Sequence, residues 1–202
     1  MPTGVHLPNA RELLFDAAER VLLLEGVSGL TSRAVTAEAG VAKGVMHRHF
    51  ADFDAFMAEL VLDRAAGLVG LDGPMAALLE AAGKGSVAGN LVEALEAVFS
   101  PLGVAVPALV ITRDGLRAQL RQAGASRFPL IAEGLAAITA YLEAEQALGR
   151  APEAADAATL AHTLIGATHL LFTDRESGPP DTQAVRSVVV GVLQAGRPRS
   201  AS

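Results

Sequence analysis

No stretch of this chain alternates apolar and polar residues for long; its apolar residues recur at spacings of three and four. That period lines one side of a helix, and Ala, Leu and Val, which supply most of the apolar mass, suit it. Seven Phe, one Tyr and no Trp leave the core mainly aliphatic. With 51% hydrophobic and 19% charged residues in 202, the chain can bury a core and is too apolar for a disordered tail. The expected fold class is all-α.

The first helix is expected over Asn9–Glu25, with Asn9 as N-cap, Glu12 three residues on, and Gly26 at its end. Thr31 or Ser32 then caps a second helix of about eight residues that Gly40 stops. A third runs from Lys43 to His49, and Asp52 or Asp54 caps a fourth carrying Phe56, Met57 and Leu60. Gly70 to Pro74 interrupts it, and Leu78 and Leu79 resume helix. Gly83 to Gly89 is expected as a flexible connection, and Asn90 with Glu93 as a capping-box start of a helix to Ser100. Pro101 and Pro107 bracket a short apolar segment; helices over Asp114–Ala123 and from Phe128-Pro129 to Leu148 follow. Two more, from Pro152 to Asp174 and from Asp181 to Gln194, are separated by Gly178, Pro179 and Pro180, and a disordered tail from Gly196 is expected. The domains expected are 9–52 and 53–196.

Composition excludes several function classes. There is no cysteine, hence no disulfide, thiolate metal site or cysteine nucleophile. No glycine-rich phosphate loop, nucleophile elbow or His-Glu metal pair is present, so neither an enzyme nor a cofactor is expected. The apolar runs Val104–Ile111 and Val188–Leu193 are too short to cross a bilayer, and Met1–Arg11 has no signal-peptide core. A cytoplasmic protein without a membrane partner is expected.

Net charge is −6, which by itself argues against nucleic acid. The local balance differs: Thr31 to Phe50 holds Arg33, Lys43 and Arg48, two histidines, and only Glu38 as an acid. Two short helices joined by a glycine turn are the minimal device for seating a helix in the major groove. Thr31 and Ser32 lie at a helix N-terminus, where hydroxyls and free N–H groups attract phosphate. Arg33, Lys43 and Arg48 are the cationic candidates, and Gly44 permits close backbone approach. Val45 suits a thymine methyl, and His47 a phosphate or base edge. Met46 and Phe50 are expected to face inward, with Phe50 under Val35 and against Phe15 or Val21.

The run Leu30-Thr31-Ser32-Arg33-Ala34-Val35, continued by Ala39-Gly40-Val41-Ala42-Lys43-Gly44-Val45-Met46-His47-Arg48-His49-Phe50, resembles the DNA-binding segment of TetR-family regulators. Ala17-Ala18, Glu25-Gly26 and Asp54-Ala55-Phe56 are similar to that family too. The resemblance covers about the first 60 residues. It implies a homodimer whose two heads meet half-sites of a palindrome, a C-terminal helical unit for ligand binding and dimerisation, and repression relieved by a small molecule. Two positions depart: the family usually has Tyr at His47 and Lys at Phe53, and both commonly touch the DNA backbone. Phe53 is therefore left out of the contact set.

In the C-terminal part, Leu164, Ile165, Leu171 and Phe172, with Val185, Val189, Val192 and Leu193, are too apolar to face water all round. The last two helices are thus the expected homodimer contact, in a two-fold four-helix arrangement. Phe56, Leu60, Phe99, Leu102, Phe128, Ile131, Leu135, Tyr141 and His162 are candidates for an effector pocket, and their character favours an apolar or amphipathic effector. His162 and His169, seven apart, share a helix side and suit a pocket or the dimer contact better than a metal. The alternative function is a helical dimerisation or adaptor protein that has lost DNA binding, with a small helical enzyme behind it.

Overall fold

A computed structural model describes residues 9–173 and 180–196. The described residues form eleven helices and no strand, in agreement with the all-α expectation. They are α1 (Ala10–Gly29), α2 (Ser32–Glu38), α3 (Gly44–His49), α4 (Phe53–Val69), α5 (Pro74–Glu80) and α6 (Val87–Val98), then α7 (Pro101–Thr112), α8 (Asp114–Gln122), α9 (Pro129–Ala147), α10 (Ala157–Thr173) and α11 (Thr182–Ala195). The expected Gly178-Pro179 break and the tail beyond Gly196 lie outside the described residues. No single described helix is long and apolar enough to cross a membrane.

The chain divides into two compact units. Unit 1 comprises the chain up to Leu62 together with Ala105–Arg127; unit 2 comprises Asp63–Val104 and the chain from Phe128 onward. In unit 1 the buried stripe of α1, Leu14, Phe15, Ala18, Val21 and Leu22, packs with α2 and α3. Unit 2 packs α9 against α10 and α5, and α11 against α6 and α10.

Four expectations change. Asn9 has a positive φ of 80° and makes no side-chain cap, so α1 starts without one. Gly26 does break the helix (φ 70°, ψ −168°), but the chain winds one further turn to Gly29. Pro107 lies inside α7 instead of bounding a segment. An interior proline costs about 3 kcal/mol, whereas Leu102, Val106, Leu109 and Val110 are each at most 3% exposed. Burying each contributes about 1.5–3 kcal/mol, so packing wins.

The fourth change is the most consequential for unit 2. Asn90 does not open α6; Ser86 does, its hydroxyl accepting from the Gly89 N–H at 3.3 Å. The Asn90 amide is used inside, donating to the Tyr141 hydroxyl at 2.9 Å and the Lys84 carbonyl at 3.1 Å. Beside it, the fully buried Glu145 accepts from the Gly83 N–H at 3.1 Å and faces Arg150 Nε at 3.0 Å, an ion pair more than an aligned hydrogen bond. Arg150 in turn donates to the Gly85 carbonyl at 2.8 Å. The Gly83–Gly85 loop, expected to be flexible, is thereby pinned. Burial, with the Glu145 carboxylate adding to it, pushes the Tyr141 phenol up to about 12.

Candidate nucleic-acid interface

The reading elements are short, so their ends decide their geometry. Thr31 caps α2, its Oγ1 accepting from the Ala34 N–H at 3.1 Å. Gly40, at φ 66°, stops it: the Gly40 N–H reaches the Ala37 carbonyl and the Val41 N–H the Thr36 carbonyl. This paired closure needs a left-handed residue, which glycine adopts without strain. Lys43 occupies the N-cap position of α3, and the chain leaves at Phe50 with extended backbone.

The faces of α3 are sharply divided. Met46 and Phe50 are buried at 1% and 3% exposure, as expected. Lys43, Gly44, His47, Arg48 and His49 are exposed, and so are Thr31 and Arg33 on the neighbouring helix. Two expected contacts are placed otherwise. Val45 is 6% exposed, too little for a thymine methyl to reach its side chain. Ser32 is half-buried and donates to the Met46 sulfur at 3.1 Å, which ties α2 to α3.

Aromatic rings fix the orientation of this pair. Phe50 meets Phe56 edge-on at 5.0 Å between centroids, and Phe15 lies 5.9 Å from Phe50 and 5.6 Å from Phe56. Arg11, absent from the sequence-derived set, sits 4.6 Å over the Phe50 ring, pairs with Glu59, and donates to the His49 carbonyl at 3.4 Å. Arg20 pairs with Glu38 at 2.6 Å, so the one acid of the Thr31–Phe50 segment is neutralised from α1. Arg33, Lys43 and Arg48 have no such acid among the described residues. Arg11 and Arg20 gave no signal in sequence because both partnerships cross between helices.

Phe53 acquires a structural account. Its ring stacks on Phe56 at 5.5 Å, and the Arg113 guanidinium lies over it at 5.4 Å. Arg113 Nε donates to Asp54 Oδ1 at 2.7 Å, while Asp52 caps α4 through the Ala55 N–H, also at 2.7 Å. A Cβ on Gly115 would collide with the Asp54 carboxylate, so only glycine allows this approach. The position holds a junction within unit 1 rather than a cation for DNA.

Residues 14–60 match the family model of bacterial regulatory proteins of the tetR family. The match is confined to that N-terminal segment, which carries a tetR-type DNA-binding domain. The TetR family consists of DNA-binding transcriptional regulators, not enzymes. Solved structures extend the likeness of fold to nearly the whole chain. One is the multidrug binding protein EbrR complexed with imidazole, at 24% identity over 96% of this chain and 98% of that one, TM-score 0.55. Another is reduced NemR from E. coli, at 16% identity over 91% and 95%, TM-score 0.66. A third is the TetR-family transcriptional regulator PfmR from Thermus thermophilus, at 16% identity over 90% and 97%, TM-score 0.62. No curated protein matches the chain in sequence.

The nine expected effector residues are dispersed. Phe56 and Leu60 are fully buried in unit 1, and the other seven belong to unit 2. Phe99, Leu102 and Tyr141 are at most 2% exposed; Phe128, Ile131 and Leu135 are half-buried. His162 is exposed, its ring nitrogen 2.7 Å from the Ala158 carbonyl. His169 instead lies against Phe99 at 5.8 Å, so the two histidines face different surroundings. A cleft of about 110 Å³ in unit 2 is bounded by α5 and α6 and includes Asn90 but none of the nine. Among the described residues no group of three His, Asp or Glu side chains is placed to hold a metal.

Proposed function

We propose that this chain is a TetR-family regulator that reads a palindromic DNA site as a homodimer and is released from it by a small apolar or amphipathic effector. The observation carrying this reading is the exposed basic row Arg33, Lys43 and Arg48 on two helices fixed from behind, with Glu38 neutralised by Arg20. In the major groove, α3 would present His47 and Arg48 to base edges or phosphates, with Lys43 and Gly44 at its entry and Thr31 and Arg33 on the flanking backbone. Ser32 and Val45 act from inside, setting the spacing of α2 and α3. The reading role is assigned to residues 9–52, the effector and dimer roles to 53–196.

For the dimer, α10 and α11 are the proposed contact. Leu170 is 72% exposed, and Val188, Val192 and Leu193 are only half covered within one chain. Effector binding is assigned to the C-terminal part on the family resemblance, and repression is the proposed sign. A cytoplasmic location goes with a DNA-bound role.

Fluorescence anisotropy with DNA from upstream of the chain's own coding region tests the reading. Removing a cation that touches one phosphate lowers the slope of log affinity against log salt by about one. Arg33→Ala, Lys43→Ala and Arg48→Ala combined should flatten that slope by about three per head and weaken binding at least a hundredfold. Unchanged affinity in the triple variant would overturn the contact assignment. Failure of the wild type to select any sequence from a random pool would favour the adaptor function.

A further inference from the structure

The reading helix α3 carries two histidines, His47 and His49, both exposed and one on each side of Arg48. Histidine is the side chain that gains its charge as pH falls from about 8 to about 5, so this head can become more basic than its arginines and lysine alone make it. The two rings stand in different settings. His49 ends the helix; its backbone carbonyl accepts from Arg11, and its ring lies 6.4 Å from that of Phe50, over which the Arg11 guanidinium is held. A proton on His49 therefore meets a permanent cation already in place. His47 lies four residues after Lys43, on the same side of α3, and its ring has no hydrogen bond or ion pair among the described residues.

The acids around His47 are engaged with other groups. On α2, Glu38 pairs with Arg20 of α1, and Arg33 adds a cation. On α1, Glu12, Asp16 and Glu19 have partners of their own, and Arg11 pairs with Glu59 of α4. At the start of α4, Asp52 accepts from the Ala55 N–H and Asp54 from Arg113. On α3 itself the ionisable neighbours are Lys43, Arg48 and His49, all basic. A proton on His47 of the free chain is thus one more like charge in a basic row, and like charges one turn apart repel. A DNA phosphate reverses the balance. It neutralises the row, and an imidazolium adds its full charge to the hydrogen bond that a neutral ring would make.

We propose that the head takes up a proton at His47 as it grips DNA, so that DNA affinity rises as pH falls. This regulation rests on the DNA-reading role proposed above. His47 serves as a phosphate contact, because a phosphate carries the charge that an imidazolium complements, whereas a base edge carries none. The sign follows from the proton count. A group that holds its proton more tightly on DNA than off it makes binding stronger at lower pH, down to the pH at which the free head is protonated as well. His49, beside Arg11, contributes little to this dependence.

Fluorescence anisotropy of the full chain on the upstream duplex, at two pH values and matched ionic strength, tests this. The wild type should bind about fivefold tighter per head at about pH 6 than at about pH 8, with a salt slope steeper by about one per head at the lower pH. His47→Gln, a change at an exposed side chain, should abolish both differences. His47→Lys should abolish the pH dependence while keeping the steep slope at both pH values. His49→Gln should retain both differences. Selective binding of equal strength at the two pH values would overturn the proposal and leave the DNA-reading role standing, as would a pH dependence that survives in His47→Gln. A wild type that binds no DNA selectively at either pH would overturn both.

Discussion

Four of the seven phenylalanines, Phe15, Phe50, Phe53 and Phe56, interlock in unit 1, whereas unit 2 stacks long helices rich in Ala, Leu and Val around the polar group Tyr141, Glu145, Asn90 and Arg150. The difference follows from helix length. α2 and α3 have seven and six residues, far below what is stable alone, so each must be held by its neighbours. Large rigid rings with preferred contact angles do this in little space and also set the orientation of the helix they hold. α9 and α10, at 19 and 17 residues, face the opposite problem. Aliphatic side chains on long helices pack nearly as well in several registers, and polar contacts at fixed positions, Asn90 with Tyr141 and Glu145 with the Gly83 N–H, select one.

The sharpest way to break this comparison is Phe50→Ala. It removes a ring that touches Phe15, Phe56 and Arg11 and should destabilise unit 1 by about 3–5 kcal/mol. Hydrogen exchange should show protection lost in α1 to α3 with α9 and α10 unaffected. Equal loss in both units would mean that the rings do not act locally.

Tyr141→Phe is the counterpart in unit 2, with an expected cost of about 1–3 kcal/mol because Asn90 and Glu145 each lose a partner. It also carries a pH signature. The unfolded phenol releases its proton near its ordinary 10.0, the folded one only at about 12. Between these values the unfolded chain binds fewer protons, so stability is complete below pH 10 and falls as pH rises towards 12, by about 2–3 kcal/mol in all. Urea midpoints across that window should fall more steeply in the wild type than in Tyr141→Phe; parallel curves would remove Tyr141 from the account.

Much of unit 1 was legible in sequence and less of unit 2, for a physical reason. The Thr31 cap, the Gly40 stop and the inward Met46 and Phe50 depend on local chemistry, which spacing reveals. What sequence does not display is pairing across distance. Asn90 reads as a cap because Glu93 follows it, yet a hydroxyl 51 positions away claims its amide. Val45 reads as a surface tip until the packing of α3 buries it. Phe53 reads as a missing cation until Arg113, 60 positions on, lies over its ring.

Phe53→Lys sharpens the comparison at the junction of α4 with α8. If the position served DNA, restoring the family's usual lysine would steepen the salt dependence of binding. The structure implies otherwise: a stacked pair with Phe56 and the ring under Arg113 are lost, and two cations are brought together. The expected outcome is a loss of about 1–2 kcal/mol in stability with no gain in DNA affinity.

The smallest effects concern helix caps, and they ask whether the division between the units holds for polar contacts as well as for rings. Thr31→Ala removes the cap of α2 in unit 1; Asp181→Ala removes that of α11, where the carboxylate accepts from the Ala184 N–H at 2.7 Å. Each should cost about 1 kcal/mol. For Thr31 the loss should appear as faster exchange confined to α2, because a seven-residue helix has no interior to share it. For Asp181 it should spread along α11, whose buried Val185 and Val189 couple the first turn to the core. Asp156, which accepts from both the hydroxyl and the N–H of Thr159, adds an acid limb in unit 2. Those bonds, the hydroxyl's foremost, hold its carboxyl below the ordinary 3.8. Its contribution is therefore complete above that value and is lost as pH falls through the lowered one, a loss that Asp156→Asn would not show. Melting curves from about pH 5 down to about pH 2 should separate the two forms, and identical curves would mean that the start of α10 is held by packing alone.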